Sequence, residues 1–294
     1  MKTPEFIGSI DVGNELGEGI IWDERDESIW WTDIQNSMLY RCHLAEEKLE
    51  QWTTPERVGC FALVADKDYL IVGFESGFAY YDPRSGYLEW LKKVGQDTPN
   101  TRLNDGRADR QGRFWAGSMV ENGGSPPAGK LYCMDQQMQC SSHFSELSIS
   151  NGLCWSPDSA FMYHTDTPTR EIYRYNFDAT TGAMSNRTLF VKTEQGCFPD
   201  GSTVDAQGYL WNAQWGASQV VRYSPHGEVD LVLKVPASQP SCVAFGGPKL
   251  DTLFVTTARE NLSADDLAQQ SEAGNVLIYR TDISSIPDPR FDPA

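Results

Sequence analysis

The chain has little positive charge. Lys and Arg number 24 against 41 Asp and Glu, so the formal net charge is −17 at pH 7. A nucleic acid or an anionic membrane binds to a basic surface, and the composition therefore argues against both as partners. The excess of acidic residues is typical of a soluble protein, and it is also compatible with a pocket that attracts cations.

Paired cysteines and long apolar runs are absent as well. The seven Cys residues are an odd number without a Cys-x-x-Cys pair, and most lie in apolar strand patterns, where Cys acts as a small buried hydrophobe. We therefore expect reduced thiols in a reducing compartment rather than a disulfide framework. The first eleven residues lack the apolar core of a signal peptide, and no run reaches the length of a membrane span. The expected location is the cytoplasm.

Helical periodicity is equally scarce, and Ser263–Gln270 is the one helical candidate. The sequence contains no nucleophilic Ser or Cys elbow, no phosphate-binding loop and no dinucleotide fingerprint. Gly123-Gly124 lacks the strand-to-helix context that such loops require. These absences argue against the enzyme classes that depend on those motifs.

One pattern is repeated six times. In each repeat a short apolar run ends at an apolar residue, such as Trp22 in the first repeat. We call the residue four positions before it the slot residue. The slot residues are Glu18, Cys60, Asn104, Asn151, Asp200 and Ser241. They are spaced by about 41 to 49 residues, which is the length of one propeller blade.

Each repeat predicts four short strands. Predicted second strands, rich in aromatic residues and Val, are Ser28–Asp33, Tyr69–Phe74, Arg113–Ser118, Phe161–Thr165, Tyr209–Ala213 and Thr252–Thr257. Predicted third strands are Met38–Cys42, Phe78–Asp82, Lys130–Met134, Ile172–Asn176, Val220–Ser224 and Val276–Arg280. The sixth repeat ends after its third strand because the tail Ile286–Ala294 is rich in proline. The alternating segment Phe6–Val12 is expected to supply the missing strand and close the ring.

The sequence therefore predicts one all-β domain over residues 1–294, a six-bladed β-propeller with four-stranded blades. The slot residues stand where the chain enters each innermost strand, at one end of the central channel. Loops from second to third strands return to that end, and the longest are Met119–Gly129 and Ala258–Gly274. Long loops at one end of a rigid scaffold are a usual place for ligand contacts.

Three slot residues form a candidate metal site. Glu18, Asn151 and Asp200 offer only oxygen ligands, a set suited to Ca²⁺, Mg²⁺ or Mn²⁺ and tolerated by Zn²⁺ or Fe²⁺. Alone, each residue is compatible with a turn cap, since Asn151 and Asp200 precede Gly. Their equivalent positions around one axis favour a single divalent metal ion, with coordination positions left for water and substrate.

Other polar residues are candidates for substrate contact. Arg102, two residues before the slot residue Asn104, could clamp a polyhydroxy or anionic substrate, and the alternative is a surface charge. Asn104 could hold the substrate ring or a developing oxyanion. Glu121 lies in the long loop above. His164 and Asp166 end a second strand, and for His164 a hydrogen-bonded place in the core is the favoured interpretation.

Four motifs resemble the sugar-lactonase family that includes gluconolactonase and regucalcin, the senescence-marker-protein type, over the whole chain. They are Leu16–Trp22, Arg102–Gly106 with Gly112–Gly117, Ser150–Leu153 with Ser156–Asp158, and Pro199–Gly201 with Gly208–Trp211. The resemblance implies a six-bladed propeller, metal ligands at Glu18, Asn151 and Asp200, and substrate contacts at Arg102, Asn104 and Glu121. Tyr163–Thr167 and Thr256–Glu260 look most like the bacterial aldono- and pentonolactonases.

The predicted function is metal-dependent hydrolysis of a sugar-derived lactone, an aldonolactone of the glucono-, arabinono- or xylonolactone type, to its open-chain acid. Asp200 would orient or deprotonate the attacking water. Two alternatives stay open at this point: a propeller that binds a divalent metal ion without turnover, and an esterase or phosphotriesterase using the same metal. The sequence does not predict the oligomeric state.

Overall fold

The computed structural model describes residues 2–121 and 125–294. Its strands form six four-stranded sheets with antiparallel neighbours. The first strand in the chain, β1 Glu5–Ile10, belongs to the last sheet. Each of the other five sheets uses four consecutive strands, the first of them innermost. The chain is therefore a six-bladed β-propeller, as its repeats predict.

The first blade contains β2 Gly17–Asp23, β3 Ser28–Asp33, β4 Met38–His43 and β5 Lys48–Thr53. The second contains β6 Val58–Leu63, β7 Leu70–Phe74, β8 Gly77–Asp82 and β9 Tyr87–Lys93. The third contains β10 Thr101–Ala108, β11 Phe114–Val120, β12 Gly129–Met134 and β13 Cys140–Leu147. All predicted second and third strands in these blades form, with ends that differ by at most two residues.

The fourth blade contains β14 Ser150–Trp155, β15 Phe161–Asp166, β16 Glu171–Phe177 and β17 Met184–Lys192. The fifth contains β18 Phe198–Val204, β19 Leu210–Trp215, β20 Gln219–Tyr223 and β21 Val229–Lys234. The sixth contains β22 Pro240–Gly246, β23 Thr252–Thr257 and β24 Val276–Arg280. A short 3₁₀ helix, Thr167–Thr169, follows β15.

The N-terminal strand closes the ring. β1 pairs antiparallel with β24, with Glu5 opposite Arg280 and Ile10 opposite Val276. The order of the sixth sheet is β1-β24-β23-β22, so β1 is the outermost strand of that blade. The predicted closing strand is confirmed, although it ends two residues before Val12.

The proline-rich tail forms no strand, but it is an ordered part of the fold. Residues 284–294, which we call the C-terminal strap, cross the face of the propeller opposite the slot residues. The backbone N–H of Phe291 donates to Leu63 O at 2.9 Å, and that of Asp292 donates to Gly112 O at 3.0 Å. Phe291 is fully buried between the second and third blades. The strap therefore joins the last blade to the earlier ones.

Apolar clusters between adjacent blades hold the ring together. Within the third blade and within the fifth, the same polar contact involves the Asp of the Asp-x-x-Gly turn between the first and second strands. Trp115 Nε1 donates to Asp109 Oδ2 at 2.8 Å, and Trp211 Nε1 donates to Asp205 Oδ2 at 2.9 Å. Each Asp also accepts hydrogen bonds from backbone N–H groups of its own turn. This contact fixes the turn to the core of its blade.

The predicted helix forms as α1 Ala264–Gln269. Ser263 caps it, with the Ser263 side chain accepting from the Asp266 N–H and the Asp266 carboxylate accepting from the Ser263 N–H. In the described part of the chain, no helix combines the length and the apolarity needed to span a bilayer.

Candidate metal and substrate site

The slot residues lie at irregular points of the innermost strands. Each of these six strands changes register at or beside its slot residue, between Glu18 and Ile21, Val58 and Cys60, Leu103 and Gly106, Asn151 and Cys154, Pro199 and Ser202, and Pro240 and Val243. A bulge of this kind bends the strand and re-aims a side chain. Gly19 and Gly152 follow two slot residues with φ of +60° and +68°, a left-handed conformation that favours glycine.

A cavity of about 730 Å³ opens at this end of the channel. All six predicted site residues line it: Glu18, Arg102, Asn104, Glu121, Asn151 and Asp200. The two remaining slot residues, Cys60 and Ser241, are fully buried beneath it. Ser241 Oγ donates to the carbonyl of Gly17, so it joins the sixth blade to the first. The structure therefore gathers the predicted residues around one pocket.

Glu18 and Asp200 are buried carboxyl groups that repel one another. Glu18 is 7% exposed and Asp200 is 5% exposed. Burial, and then the nearby Asp105, raise the pKa of Glu18 to about 8. Burial, and then the charge of Glu18, raise the pKa of Asp200 well above its ordinary value. Both shifts express the cost of burying negative charges close to one another.

These residues fit a divalent metal ion. Asp200 Oδ1 is buried and accepts no hydrogen bond from any described residue, although buried oxygens are normally paired. No described group of three or more His, Cys, Asp and Glu is arranged to hold a metal ion. The candidate set has two carboxylates, and its third member is an amide oxygen. Such an all-oxygen set suits a hard cation.

The amide of Asn151 is held in one orientation by its neighbours. Asn151 Oδ1 accepts from Asn104 Nδ2 at 2.8 Å, and Asn151 Nδ2 donates to Thr167 Oγ1 at 2.9 Å. Thr167 Oγ1 in turn donates to Pro199 O at 2.9 Å, beside Asp200. The side-chain oxygen of Asn151 keeps a second lone pair for a cation. Thr167 is thus a site residue that the sequence reasoning missed.

Arg102 is a buried group and not a surface charge. It is 4% exposed, and Nη1 donates to Asn104 Oδ1 at 2.7 Å and to Leu103 O at 3.1 Å. Asn104 uses Nδ2 to donate to both Ser150 O and Asn151 Oδ1. In this arrangement Asn104 orients Asn151, and donation to a substrate requires one of those bonds to break.

Glu121 lines the cavity but is tied to arginine. Its carboxylate accepts from Arg57 Nη1 at 2.7 Å and Nη2 at 3.2 Å, and Oε1 lies 3.7 Å from Arg102 Nε. The guanidinium of Arg57 lowers the pKa of Glu121. Residues 122–124 of the same predicted loop, including Gly123-Gly124, lie outside the described residues. Glu121 therefore links Arg102 to a second arginine at the cavity rim.

Asp105 is a buried carboxylate that the sequence reasoning missed. It is 8% exposed and accepts from the backbone N–H of Leu153 at 2.8 Å. Burial raises its pKa, and its charge contributes to the raised pKa values of Glu18 and Asp200. A signal was present, because the slot residue Asn104 is followed directly by an acidic residue and Gly. In a regular strand, however, Asp105 would point away from Asn104.

The cavity also has an apolar side and a further acid. Phe198, Trp215, Ile149 and Pro168 line it, together with Glu260 from the loop after β23. Phe198 and Trp215 stand opposite one another where β18 pairs with β19. Glu260 Oε1 accepts from Gln35 Nε2 at 2.5 Å. The sequence reasoning identified the long loop that carries Glu260 but did not single out the residue.

His164 and Asp166 have structural contacts. His164 is 3% exposed, its Nε2 lies 2.9 Å from Ser150 Oγ, and its ring packs on Phe144. Burial lowers the pKa of His164 to about 3, so the imidazole is neutral. Asp166 accepts from the backbone N–H groups of Ser148 and Ile149. The favoured interpretation of His164 as a core residue agrees with these contacts.

Comparison with known proteins gives concordant matches. The sequence profile of the SMP-30/gluconolactonase/LRE-like region matches residues 16–259. An L-arabinolactonase of Azospirillum brasilense is 40% identical over 96% of this chain and 93% of its own length. A 6-deoxy-6-sulfogluconolactonase of Pseudomonas putida is 35% identical over 94% of each chain.

A solved structure agrees with the fold as well. The crystal structure of a calcium-binding protein, regucalcin, from Agrobacterium tumefaciens superposes with a TM-score of 0.93 at 30% identity, over 99% of both chains. The profile match extends from the first slot residue to the sixth blade, and the superposition includes all the blades. The chain belongs to the SMP-30/gluconolactonase/LRE-like family.

Proposed function

We propose that the protein hydrolyses a sugar-derived lactone to its open-chain sugar acid, with a divalent metal ion bound by Glu18, Asn151 and Asp200. The observation that carries this proposal is the unpaired, buried Oδ1 of Asp200 in a cavity shared with Glu18. Two relatives that match almost the whole chain are named for lactonases, which are hydrolases of cyclic carboxylic esters. Family membership and the cavity thus support the same reaction class.

The metal ion would be held by the two carboxylates and the Asn151 oxygen. When bound, such an ion acts as a Lewis acid toward the lactone carbonyl. The relative named as a calcium-binding regucalcin supports a divalent ion, and the all-oxygen donor set is compatible with Ca²⁺, Mg²⁺ and Mn²⁺. Zn²⁺ and Fe²⁺ are further candidates, so the identity of the ion is a matter for metal analysis.

We assign the proton transfer to Asp200. Its carboxylate accepts a proton from the attacking water as the water oxygen bonds to the carbonyl carbon. The ring C–O bond then breaks, and the leaving alkoxide takes up the proton, which gives a hydroxy acid.

The polar residues beside the proposed metal ligands favour a substrate that carries hydroxyl groups. Arg102 and Asn104 form a fixed, hydrogen-bonded side of the cavity and Glu121 lies at its rim. An aldonolactone of the arabinono-, xylono- or glucono- type would place its hydroxyl groups here, whereas a non-sugar ester or phosphotriester has no hydroxyl groups to offer to this side.

A lactone panel tests the proposal. The purified protein is stripped of metal, reconstituted with one divalent ion at a time, and assayed by pH-stat titration on arabinono-, xylono- and gluconolactone. We expect metal-dependent opening well above the spontaneous rate. Aryl esters and phosphotriesters, assayed in parallel, test the esterase alternative. Binding of ion and lactone without any opening would favour the non-catalytic metal-binding protein.

We also infer a cytoplasmic location. All seven cysteines have free thiols, and five of them are buried. Burial raises the pKa of thiols such as Cys133 and Cys154, which keeps them protonated and unreactive. A reducing compartment accords with this arrangement.

A further inference from the structure

The charged groups around the cavity are unequal in number. Among the described residues that line it, four are acidic and one is basic: Glu18, Glu121, Asp200 and Glu260 against Arg102. The basic side chain presents little surface to a ligand, since Arg102 is 4% exposed, Nη1 already has two acceptors and Nε is buried, with no hydrogen-bond partner among the described residues. An anionic substituent that lies away from the metal ion would find acidic neighbours and no exposed cation among the described residues that line the cavity.

Three of the four acids are compensated. A bound divalent ion would balance the charges of Glu18 and Asp200. Arg57 binds Glu121 through two hydrogen bonds. Glu260 differs, because its partner is the neutral amide of Gln35, and it forms no ion pair with any described residue. Glu260 is therefore the acidic residue of the cavity whose hydrogen-bond partner carries no charge.

The apolar residues of the cavity suit a neutral ring. Phe198 is 37% exposed although it is a large aromatic residue, and with Trp215 it gives the cavity an aromatic wall. Such a wall can pack against the C–H face of a sugar ring, while the hydroxyl groups turn to the polar side. An ionised substituent would lose hydration in this cavity without gaining an ion pair.

We infer that the cavity selects neutral polyhydroxy lactones and excludes lactones with an anionic substituent such as a phosphate or sulfonate, with Glu260 as the residue that determines this selectivity. The inference rests on the proposed function. The carboxylate of Glu260 would repel an anionic substituent on the lactone. Anionic lactones are therefore excluded by repulsion as well as by the lack of favourable contacts. The net charge of −17 on the whole chain adds a field of the same sign.

The test compares two ligands that differ in one substituent. Gluconolactone and 6-phosphogluconolactone are assayed with the parent protein, Glu260→Gln and Glu260→Arg. Binding is measured separately by calorimetry with 1,5-anhydroglucitol and its 6-phosphate, in which a methylene group replaces the lactone carbonyl. The matched control is Glu228→Arg. Glu228 is exposed on the β20–β21 turn at the opposite face, and its substitution changes the net charge by the same amount as Glu260→Arg.

We expect the parent to prefer the neutral ligand at least about tenfold in both assays. Glu260→Arg should shift the ratio toward the phosphate by about tenfold, Glu260→Gln by less, and Glu228→Arg should leave it unchanged. Raising the salt concentration should weaken the preference of the parent. A parent that binds the phosphate as well as the neutral ring, or an unchanged ratio in both Glu260 variants, would overturn the inference.

The two assays separate this inference from the proposed function. If neither lactone is opened but the anhydro sugars bind with the expected ratio, the proposed hydrolysis fails and the charge selectivity stands. If lactones are opened without regard to charge, the hydrolysis stands and the selectivity fails. Absence of any binding by the neutral anhydro sugar would also overturn the selectivity.

Discussion

Arg102 Nη1 donates to Asn104 Oδ1 at 2.7 Å, and this bond determines how the Asn104 amide is turned. With its oxygen toward Arg102, Asn104 presents Nδ2 to Asn151 Oδ1 at 2.8 Å. The guanidinium therefore sets the orientation of a candidate metal ligand that it does not touch.

Replacing Arg102 with Ala should impair both stability and metal affinity. The side chain is buried, and its loss leaves Asn104 Oδ1 without its donor, which typically costs about 1–3 kcal/mol. Asn104 then no longer holds Asn151 in one orientation. Thermal denaturation and metal calorimetry measure the two effects, and Arg280→Ala is the exposed control. Arg102→Lys should retain only part of the parental stability and part of the parental metal affinity. A variant with parental melting temperature and metal affinity would show that Arg102 does not orient the site.

Asp200→Asn should abolish most of the activity and keep the fold. The amide is nearly isosteric, but it removes the charged ligand and the proposed base, so we expect turnover to fall by about 10²-fold or more. Steady-state kinetics and circular dichroism provide the two measurements. Asp158→Asn, in a turn on the opposite face, serves as the control. Turnover within a few-fold of the parent would exclude Asp200 from both roles.

Removal of metal should make stability fall as the pH rises. Burial raises the pKa of Glu18 to about 8 and raises that of Asp200, so the folded state binds protons that the unfolded state releases. For Glu18 that contribution is fully present below about pH 4.5 and is lost by about pH 8. Melting temperatures of chelator-treated protein at pH 5 to 8 should therefore decline. Adding a divalent ion should raise the melting temperature most at pH 8. An equal rise in melting temperature at every pH from 5 to 8 would contradict binding of the ion by Glu18 and Asp200.

Deleting residues 1–12 should open the ring. The change removes β1, and it leaves the outer edge of β24 without hydrogen-bond partners, so we expect aggregation. Light scattering and size-exclusion chromatography measure the effect. A synthetic peptide of residues 3–12 added in trans should suppress aggregation by pairing with β24. A soluble truncated protein with parental melting behaviour would show that closure by β1 is dispensable.

The fold could be predicted from sequence because each blade repeats the same local pattern. Turn residues bound short runs of Trp, Tyr, Phe and Val, and the strands form where these runs occur. The slot residues could be predicted to meet because a closed ring brings equivalent positions to one axis. The predicted family and the predicted propeller both rest on these regular features. The profile match confirms the family, and the superposition on a solved structure confirms the fold.

The missed residues lie where the chain is irregular. Asp105 lies in the irregular part of β10, where a change of register interrupts the alternation of side chains, and its charge acts on Glu18 and Asp200 from there. Glu260 belongs to a loop, whose course no periodicity predicts. Phe291 is one of few apolar residues in a proline-rich tail, and its burial depends on a groove between the second and third blades, far away in the sequence. Each of these positions is determined by tertiary contacts that local sequence does not contain.

Closure by β1 also constrains the order in which the molecule can assemble. Asn14 and Gly274, which are hydrogen bonded just beyond the paired strands, are 260 positions apart in the chain. During synthesis, β1 leaves the ribosome long before its partner β24 exists, and Phe6 and Ile7 are half exposed even in the finished ring. Contacts of such long range form late and slowly. The nascent chain must therefore keep an apolar strand unpaired until the sixth blade is made, and this interval is when aggregation threatens it most.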